Sequence, residues 1–168
     1  VYNSGGYESI ETIEMLQEIV DVFLPDLKFA SYATAKEFVN APDYFSVATA
    51  AIKKMAALIG SCKLDRQGLM KRGLIVRHLV LPGKLEESRT ILKWIKDELP
   101  EWVMVSLMGQ YLPMGHAVNH PELGRKLTVA EYEATVDYLY ELGLENGYVQ
   151  DISAAAEEFI PEFDLTGV

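Results

Sequence analysis

A chain of 168 residues with 49% hydrophobic and 24% charged residues suits one globular domain over residues 1–168 and excludes a disordered protein. The formal charge of −10 disfavours nucleic acids and anionic membrane surfaces as partners. A single cysteine, Cys62, excludes an internal disulfide and any site built from several cysteines of this chain. No apolar run is long enough to span a bilayer, so we expect a cytoplasmic protein.

Five strands are predicted from compact, largely apolar runs, which are typical of parallel sheets covered on both faces. They lie at residues 1–3, 19–24, 74–81, 102–108 and 148–150. The segment 61–73 precedes the third strand and contains Gly68 and a basic pair. It indicates a connection or a small hairpin.

The first two helices are predicted from apolar residues at helical spacing. The first follows the acidic residues Glu8 and Glu11, whose charges suit a helix N-terminus. The second is expected to begin at a cap formed by Asn40 and to end at Gly60. The apolar positions are Ile10, Ile13 and Leu16 in the first helix, and Phe45, Ala48, Ile52, Met55 and Ile59 in the second.

Two further helices have clear end signals. Pro100 terminates the third, and Gly143 ends the fourth. Thr128 and Glu131 form a capping box that starts the fourth helix. The apolar positions are Leu92, Ile95 and Leu99 in the third helix, and Tyr132, Val136 and Leu139 in the fourth.

Strands that alternate with helices predict right-handed βαβ units and a parallel sheet, and therefore an α/β fold. Four or five strands are too few for a closed eight-stranded barrel. The residues alone leave two architectures open, namely an open doubly wound sheet and part of a (β/α) barrel.

Candidate ligand-binding residues follow the strands, because ligands of parallel α/β proteins bind beyond the carboxyl ends of the strands. Asp26 and Lys28 follow the second strand, and a period of two places both side chains on one side. They predict either a small charged ligand site at a barrel rim or a plain surface ion pair. Asn3 and Ser4, followed by two glycines, predict a ligand-holding loop or an ordinary capped turn.

Arg77 and His78 interrupt the apolar third strand, so each points into a different layer. A buried guanidinium needs a ligand or a partner, and Asp26 is a candidate partner. We expect His78 to be satisfied by its neighbours rather than to be a catalyst. Gln110 follows the fourth strand.

Other candidate sites are interpreted as non-functional. His116 and His120 are four residues apart, but Pro113 and Pro121 place them in a loop, and the glutamate of the zinc-protease pattern is missing. Cys62 has no histidine nearby in sequence and is interpreted as an incidental thiol. We therefore expect no metal ligand and no catalytic side chain in this chain.

A resemblance to a known family is carried by five ordered segments, VYNSGGYE, VDVFLPDLKF, GLIVRHLVLPG, VSLMGQYLP and LGLENGYVQ. Together they resemble the later part of radical S-adenosylmethionine (radical SAM) proteins, specifically uncharacterised iron–sulfur proteins similar to pyruvate formate-lyase activating enzyme. The resemblance covers essentially the whole chain. It implies a partial parallel (β/α) barrel of six strands, of which this chain holds only the later strands, from the third onward, plus a C-terminal extension.

The resemblance also implies site residues. Activating enzymes bind S-adenosylmethionine and an adjacent monovalent cation at the segments that match here. The matching residues are Asn3, Ser4, Asp26, Lys28, Arg77 and Gln110. The chain departs from the family pattern at Gln110, which replaces a histidine near the adenine, and at Asn3, which replaces an acidic residue.

The cluster-binding part of the family pattern is not in this chain. The family holds a [4Fe-4S] cluster with a C-x3-C-x2-C loop, and one cysteine cannot replace three. The resemblance therefore implies the C-terminal part of an enzyme that cleaves S-adenosylmethionine to a 5′-deoxyadenosyl radical, in the manner of the activases of glycyl radical enzymes. The radical would abstract hydrogen from a substrate, which is either a glycyl residue of a partner protein or a small molecule. This part alone is expected to be inactive.

Two other functions stay open. The chain could be a cluster-free half barrel that serves as a binding or interaction module. It could also be an unrelated α/β enzyme that uses Asp26 and Lys28 as an acid–base pair. An exposed sheet edge leads us to expect a homodimer.

Overall fold

The structure, a computed structural model, describes residues 1–150. Its strands are β1 (Tyr2–Ser4), β2 (Val22–Pro25), β3 (Lys63–Leu64), β4 (Met70–Leu79), β5 (Met104–Met108) and β6 (Gly147–Val149). Its helices are α1 (Ile10–Met15), α2 (Tyr32–Val39), α3 (Tyr44–Ile59), α4 (Leu85–Glu98) and α5 (Val129–Glu141), with a 3-10 turn at Gly115–Asn119.

The sheet has the strand order β1-β2-β4-β5-β6, and all neighbours in this order are parallel. Each strand is added beside the preceding parallel strand, always at the same edge. Right-handed crossovers then place the connecting helices on one face of the sheet. The order over residues 1–150 is therefore singly wound, and the doubly wound alternative is wrong. Closure into a partial barrel stays a prediction.

Burial alternates along β4 as this arrangement requires. Leu74, Val76 and His78 are at most 1% exposed and lie on the helix-covered face. Arg77 and its same-face neighbours Ile75 and Leu79 are only half-buried. We call the face that contains Arg77 the helix-free face.

The core lies between the sheet and the helices. α3 packs on β2 and β4, α1 packs against α3, and α4 packs against α5. The largest fully buried side chains are Phe23, Ile13, Leu27, Ile52, Met55, Leu74, Ile91, Leu92 and Leu107. α3 ends as predicted at Gly60, which adopts a left-handed conformation with φ of 74°.

The prediction that Asn40 begins the second helix is wrong. Asn40 instead ends α2, a helix that was not predicted from the sequence. α2 begins after Ser31, whose hydroxyl accepts a hydrogen bond from the backbone N–H of Thr34. Asn40 follows α2 with φ of 51°, and its backbone N–H bonds the carbonyls of Ala35 and Lys36. α3 begins separately, after Asp43.

Several local predictions are confirmed. The capping box of Thr128 and Glu131 is present at the start of α5. β3 pairs antiparallel with β4, so the segment 61–73 is a hairpin, and β4 begins at Met70 rather than at residue 74. The expected C-terminal extension lies outside the described residues. Within residues 1–150 no helix is long and apolar enough to cross a membrane.

β1 and β6 are the edge strands of the sheet in the described part of the chain. The homodimer expected through an exposed edge stays a prediction.

Candidate functional site

A row of four residues crosses the sheet near the carboxyl ends of its strands. Asp26 bridges to Arg77, Arg77 is in register with Ser106, and Ser106 is in register with Tyr148. Residues in parallel register point to the same face, so the row lies on the helix-free face. Its members come from β2, β4, β5 and β6 or directly follow them.

The charges of the site meet at Asp26. Nη2 of Arg77 is 2.6 Å from Oδ1 of Asp26, and Nζ of Lys28 is 3.3 Å from Oδ2. The side chains of Asp26 and Arg77 are 14% and 26% exposed, whereas that of Lys28 is 42% exposed. One carboxylate thus faces two cations, and these three side chains carry one excess positive charge.

Hydrogen bonding in this cluster is incomplete. The buried atoms Oδ1 of Asp26 and Nε of Arg77 have no hydrogen-bond partner of good geometry among the described residues. The short contact between Asp26 and Arg77 is therefore an ion pair without well-aligned hydrogen bonds. Buried polar atoms normally have hydrogen-bond partners. These two atoms are therefore free to bind a polar group of a ligand.

Glu8 adds a second carboxyl group near Asp26. Burial raises the pKa of Glu8, a hydrogen bond from Ser4 opposes this shift, and the negative charge of Asp26 raises the pKa further. The Ser4 hydroxyl lies 3.1 Å from Oε2 of Glu8 and also accepts a hydrogen bond from the backbone N–H of Gly6. The side chain of Ser4 thus orders the turn after β1.

The buried Tyr44 of α3 contacts the backbone behind the charged cluster. Its hydroxyl lies 2.8 Å from the carbonyl oxygen of Gly5, 3.0 Å from that of Asp26 and 3.1 Å from the backbone nitrogen of Lys28. Burial raises the pKa of Tyr44 far above its usual value, so the hydroxyl stays protonated. Gly6 lets the turn after β1 approach Asp26 closely, because a Cβ at this residue would lie 2.1 Å from the Asp26 carbonyl oxygen.

His78 has partners for both ring nitrogens, as the sequence analysis expected. Nδ1 is 2.8 Å from the carbonyl oxygen of Leu27, and Nε2 is 2.9 Å from the Ser88 hydroxyl. A carbonyl only accepts, so Nδ1 carries the proton and Nε2 accepts from Ser88. Burial lowers the pKa of His78 to about 4, so the ring is neutral at pH 7.

Glu87 of α4 caps the start of α2, although the two are 56 residues apart in the chain. Its carboxylate accepts hydrogen bonds from the backbone N–H groups of Ala30 and Ser31 and from the hydroxyl of Thr34. Burial alone would raise the pKa of Glu87, but these hydrogen bonds outweigh it and hold the pKa below its usual value. Glu87 thereby connects α4 to the chain segment that follows Lys28.

The remaining predicted site residues are less closely associated. Asn3 is exposed in β1 and is in register with Leu24, which places it on the helix-free face. The carbonyl oxygen of Ser4 accepts a hydrogen bond from the backbone N–H of Asp26. Gln110 is exposed two residues beyond β5. The structure thus brings Asp26, Lys28 and Arg77 together. A contact of Gln110 with this cluster stays a prediction.

Of the two histidines near the 3-10 turn, His120 is held by protein groups. Nδ1 of His120 accepts hydrogen bonds from the backbone N–H groups of Glu122 and Leu123, and Nε2 lies 3.1 Å from Oε1 of Glu37. His116 is exposed. Across residues 1–150, no three His, Cys, Asp or Glu side chains are grouped so that they could hold a metal ion.

Sequence reasoning missed Tyr44, Ser106 and Glu87 as residues of this region. Tyr44 lies on the apolar face of a predicted helix, where an aromatic side chain indicates core packing and gives no sign of its hydroxyl partners. Ser106 is weakly indicated by the sequence, because it is a polar residue inside an apolar strand, between the buried Val105 and Leu107. No local pattern could identify Glu87.

Comparisons with known proteins support the fold. The structure is similar to that of a domain of pyruvate-formate lyase-activating enzyme from Bacteroides vulgatus, with a TM-score of 0.56 and 13% identity over 84% of this chain and 74% of that one. An uncharacterized protein of Methanocaldococcus jannaschii is 30% identical over 146 residues, which is 86% of this chain. The chain spans 39% of the length of that relative. No family model matches the chain.

Proposed function

We propose that this chain is the later part of a radical S-adenosylmethionine protein, and that the helix-free face binds S-adenosylmethionine near the carboxyl ends of β2 and β4. The observation that carries the proposal is the convergence of Asp26, Lys28 and Arg77 at this position. The similarity in fold to an activating-enzyme domain and the resemblance of five ordered segments both support it.

The three side chains fit the polar end of the cofactor. The amino acid part of S-adenosylmethionine carries one ammonium and one carboxylate group. The Asp26 carboxylate is suited to the ammonium, and the guanidinium of Arg77 with the ammonium of Lys28 is suited to the carboxylate. The unpaired Nε of Arg77 offers a donor that the protein itself leaves unused in the described structure.

The cysteine content does not fit a cluster. A [4Fe-4S] cluster needs several thiolates, and the chain has only Cys62. Cys62 directly precedes β3, which pairs with the first residues of β4, whereas Arg77 lies near the other end of β4. We therefore assign the cluster ligands to a part of the protein outside this chain and derive no step that involves the cluster.

Within this proposal, S-adenosylmethionine supplies radical chemistry when bound with a cluster, and the residues of this chain orient it. Asp26, Lys28 and Arg77 bind its charged groups. The half-buried apolar residues Ile75 and Leu79 flank Arg77 on the same face and limit the access of water. The substrate and the reaction product are not assigned.

Binding is tested by titrating the purified chain 1–168 with S-adenosylmethionine in a calorimeter. We expect saturable binding that Arg77→Met weakens at least about tenfold, because charged hydrogen bonds contribute about 1.5–3 kcal/mol. The matched control is Lys71→Met, which removes an exposed partner of Asp65 at the other end of β4. No binding by the folded wild-type chain, or equal binding by Arg77→Met, would overturn the assignment of this face.

The enzymatic part of the proposal has a separate test. The reading frame immediately upstream of the Val1 codon should encode a C-x3-C-x2-C motif. A frame with a start codon there and no such motif would leave a cluster-free binding module.

A further inference from the structure

The segment Asp26 to Lys28 continues β2 beyond its last regular residue. The backbone N–H of Asp26 donates to the carbonyl of Ser4, and that of Leu27 donates to the carbonyl of Arg77. The ladder partners of β2 thus reach as far as Leu27. The next donor, the N–H of Lys28, is bonded by the Tyr44 hydroxyl instead.

The Tyr44 hydroxyl can accept one hydrogen bond from a backbone N–H and donate one to a backbone carbonyl at the same time. It accepts from the N–H of Lys28 and has one proton, which it donates to the carbonyl of Gly5 or of Asp26. The hydroxyl therefore connects the N–H of Lys28 either to the turn after β1, through Gly5, or to the start of the same segment, through Asp26.

The ring of Tyr44 is fixed by aromatic neighbours. Phe29 packs against it edge to face with a centroid distance of 5.6 Å, and Tyr7 stacks on it at 6.0 Å. The Tyr7 hydroxyl in turn lies 2.7 Å from Oδ1 of Asp43. The ring is only 4% exposed, so the position of the hydroxyl is set by the packing of α3.

The carbonyl of Leu27, between the two charged residues, is held separately. It accepts the Nδ1 proton of His78 from the helix-covered side. Two buried side chains, Tyr44 and His78, thus hold the backbone of the segment from one side, while Asp26 and Lys28 present their charges on the other. A two-residue step in an extended chain fixes their spacing only while the backbone stays extended.

From these contacts we infer that Tyr44 is a positioning residue, whose hydroxyl fixes the Asp26 carboxylate relative to Lys28 and Arg77. The consequence for ligand binding rests on the proposed function, since it takes the same three side chains as the S-adenosylmethionine site. The inference about geometry does not depend on the identity of the ligand.

The test compares Tyr44→Phe with Tyr132→Phe in the chain 1–168. Tyr132 is also 4% exposed, and its hydroxyl lies 3.1 Å and 2.7 Å from the carbonyl oxygens of Leu107 and Gln150, away from the Asp26 segment. Both substitutions keep the ring and remove one buried hydroxyl, so their effects on stability should be similar.

Two readouts separate positioning from stability. The first is the NMR signal of the Arg77 Nε–H group, assigned through its loss in Arg77→Lys. The second is the dissociation constant for S-adenosylmethionine. We expect Tyr44→Phe to shift the Arg77 signal and to weaken binding about fivefold, the effect of one lost hydrogen bond. Tyr132→Phe should change neither.

An unchanged Arg77 signal in folded Tyr44→Phe overturns the inference, as does an equal shift in Tyr132→Phe. If Tyr44→Phe does not fold, 3-fluorotyrosine at position 44 alters the hydroxyl while keeping it in place, and the same signal must shift. Failure of the wild-type chain to bind S-adenosylmethionine overturns the proposed function instead, and the Arg77 signal still decides the role of Tyr44.

Discussion

Arg77 lies opposite Asp26 in the parallel register, and its guanidinium is 2.6 Å from the carboxylate. This contact joins β4 to the end of β2 on the helix-free face. Because Lys28 approaches the other carboxylate oxygen, Asp26 is the shared partner of two cations. A pairing of Arg77 with Asp26 is the structural alternative to ligand binding that the sequence predicts, and the structure shows that pairing. A paired arginine can still bind a ligand, since its Nε remains without a partner in the described structure.

Arg77→Met should lower the free energy of unfolding by about 1–2 kcal/mol, because it leaves a mostly buried carboxylate with only the more exposed Lys28 beside it. Urea denaturation at pH 7 measures this change. The double variant Asp26→Asn/Arg77→Met should lose less than the sum of the two single variants. Strict additivity would show that the ion pair does not stabilise the fold.

The stability of the protein should depend on pH through His78. The unfolded histidine binds a proton near pH 6.5, whereas the folded one does so only near pH 4 because the ring is buried. Between these values the unfolded chain binds more protons, so the free energy of unfolding falls as the pH falls. The loss attributable to His78 should be about 2–3 kcal/mol between pH 7 and pH 4.

Denaturation curves of His78→Gln and His116→Gln over the same pH range isolate this contribution. His78→Gln should be less stable at pH 7 but should lose less stability on acidification than the wild type. The exposed His116 serves as the matched control, and His116→Gln should follow the wild-type curve. Parallel curves for all three proteins would contradict the neutral, buried state of His78.

Removing the carboxylate of Glu87 should destabilise the start of α2. Glu87→Ala should lower the free energy of unfolding by about 2 kcal/mol, because two backbone donors and one hydroxyl lose their acceptor. Glu87→Gln should have roughly half this effect. Hydrogen exchange at the amides of Ala30 and Ser31 should become faster in both variants.

Glu86 provides a control in the same helical turn. Its side chain is 82% exposed and pairs with Arg89, so Glu86→Gln should change stability by less than about 0.5 kcal/mol. Equal exchange rates at Ala30 in the Glu86 and Glu87 variants would show that the distant cap is not needed.

Local sequence signals predicted the parallel strands and most helix ends well. The capping box of Thr128 and Glu131 and the stop at Gly60 depend on a few neighbouring residues, so the sequence contains the whole signal. The predicted start of the second helix is wrong because its signal is ambiguous. Asn40 favours both helix starts and left-handed helix ends, and only the packing of α2 decides between them.

Residues that act across long sequence separations could not be predicted. Glu87 caps a helix that begins more than fifty residues earlier, and no local pattern indicates that pairing. Tyr44 and His78 satisfy carbonyls of a segment whose position depends on the whole sheet. The charged pair of Asp26 and Lys28 was found because a period of two is a local property of an extended chain.

The monotonic strand order has a consequence for folding during synthesis. β2, β4, β5 and β6 each pair with a parallel strand that leaves the ribosome earlier. The sheet can therefore grow at one edge as the chain emerges, without waiting for a distant partner. The Asp26 to Lys28 segment would lie at the growing edge until β4 brings Arg77 beside it. Translation pauses placed before β4 should thus prolong the time that Asp26 has only Lys28 beside it, more than pauses placed after β4.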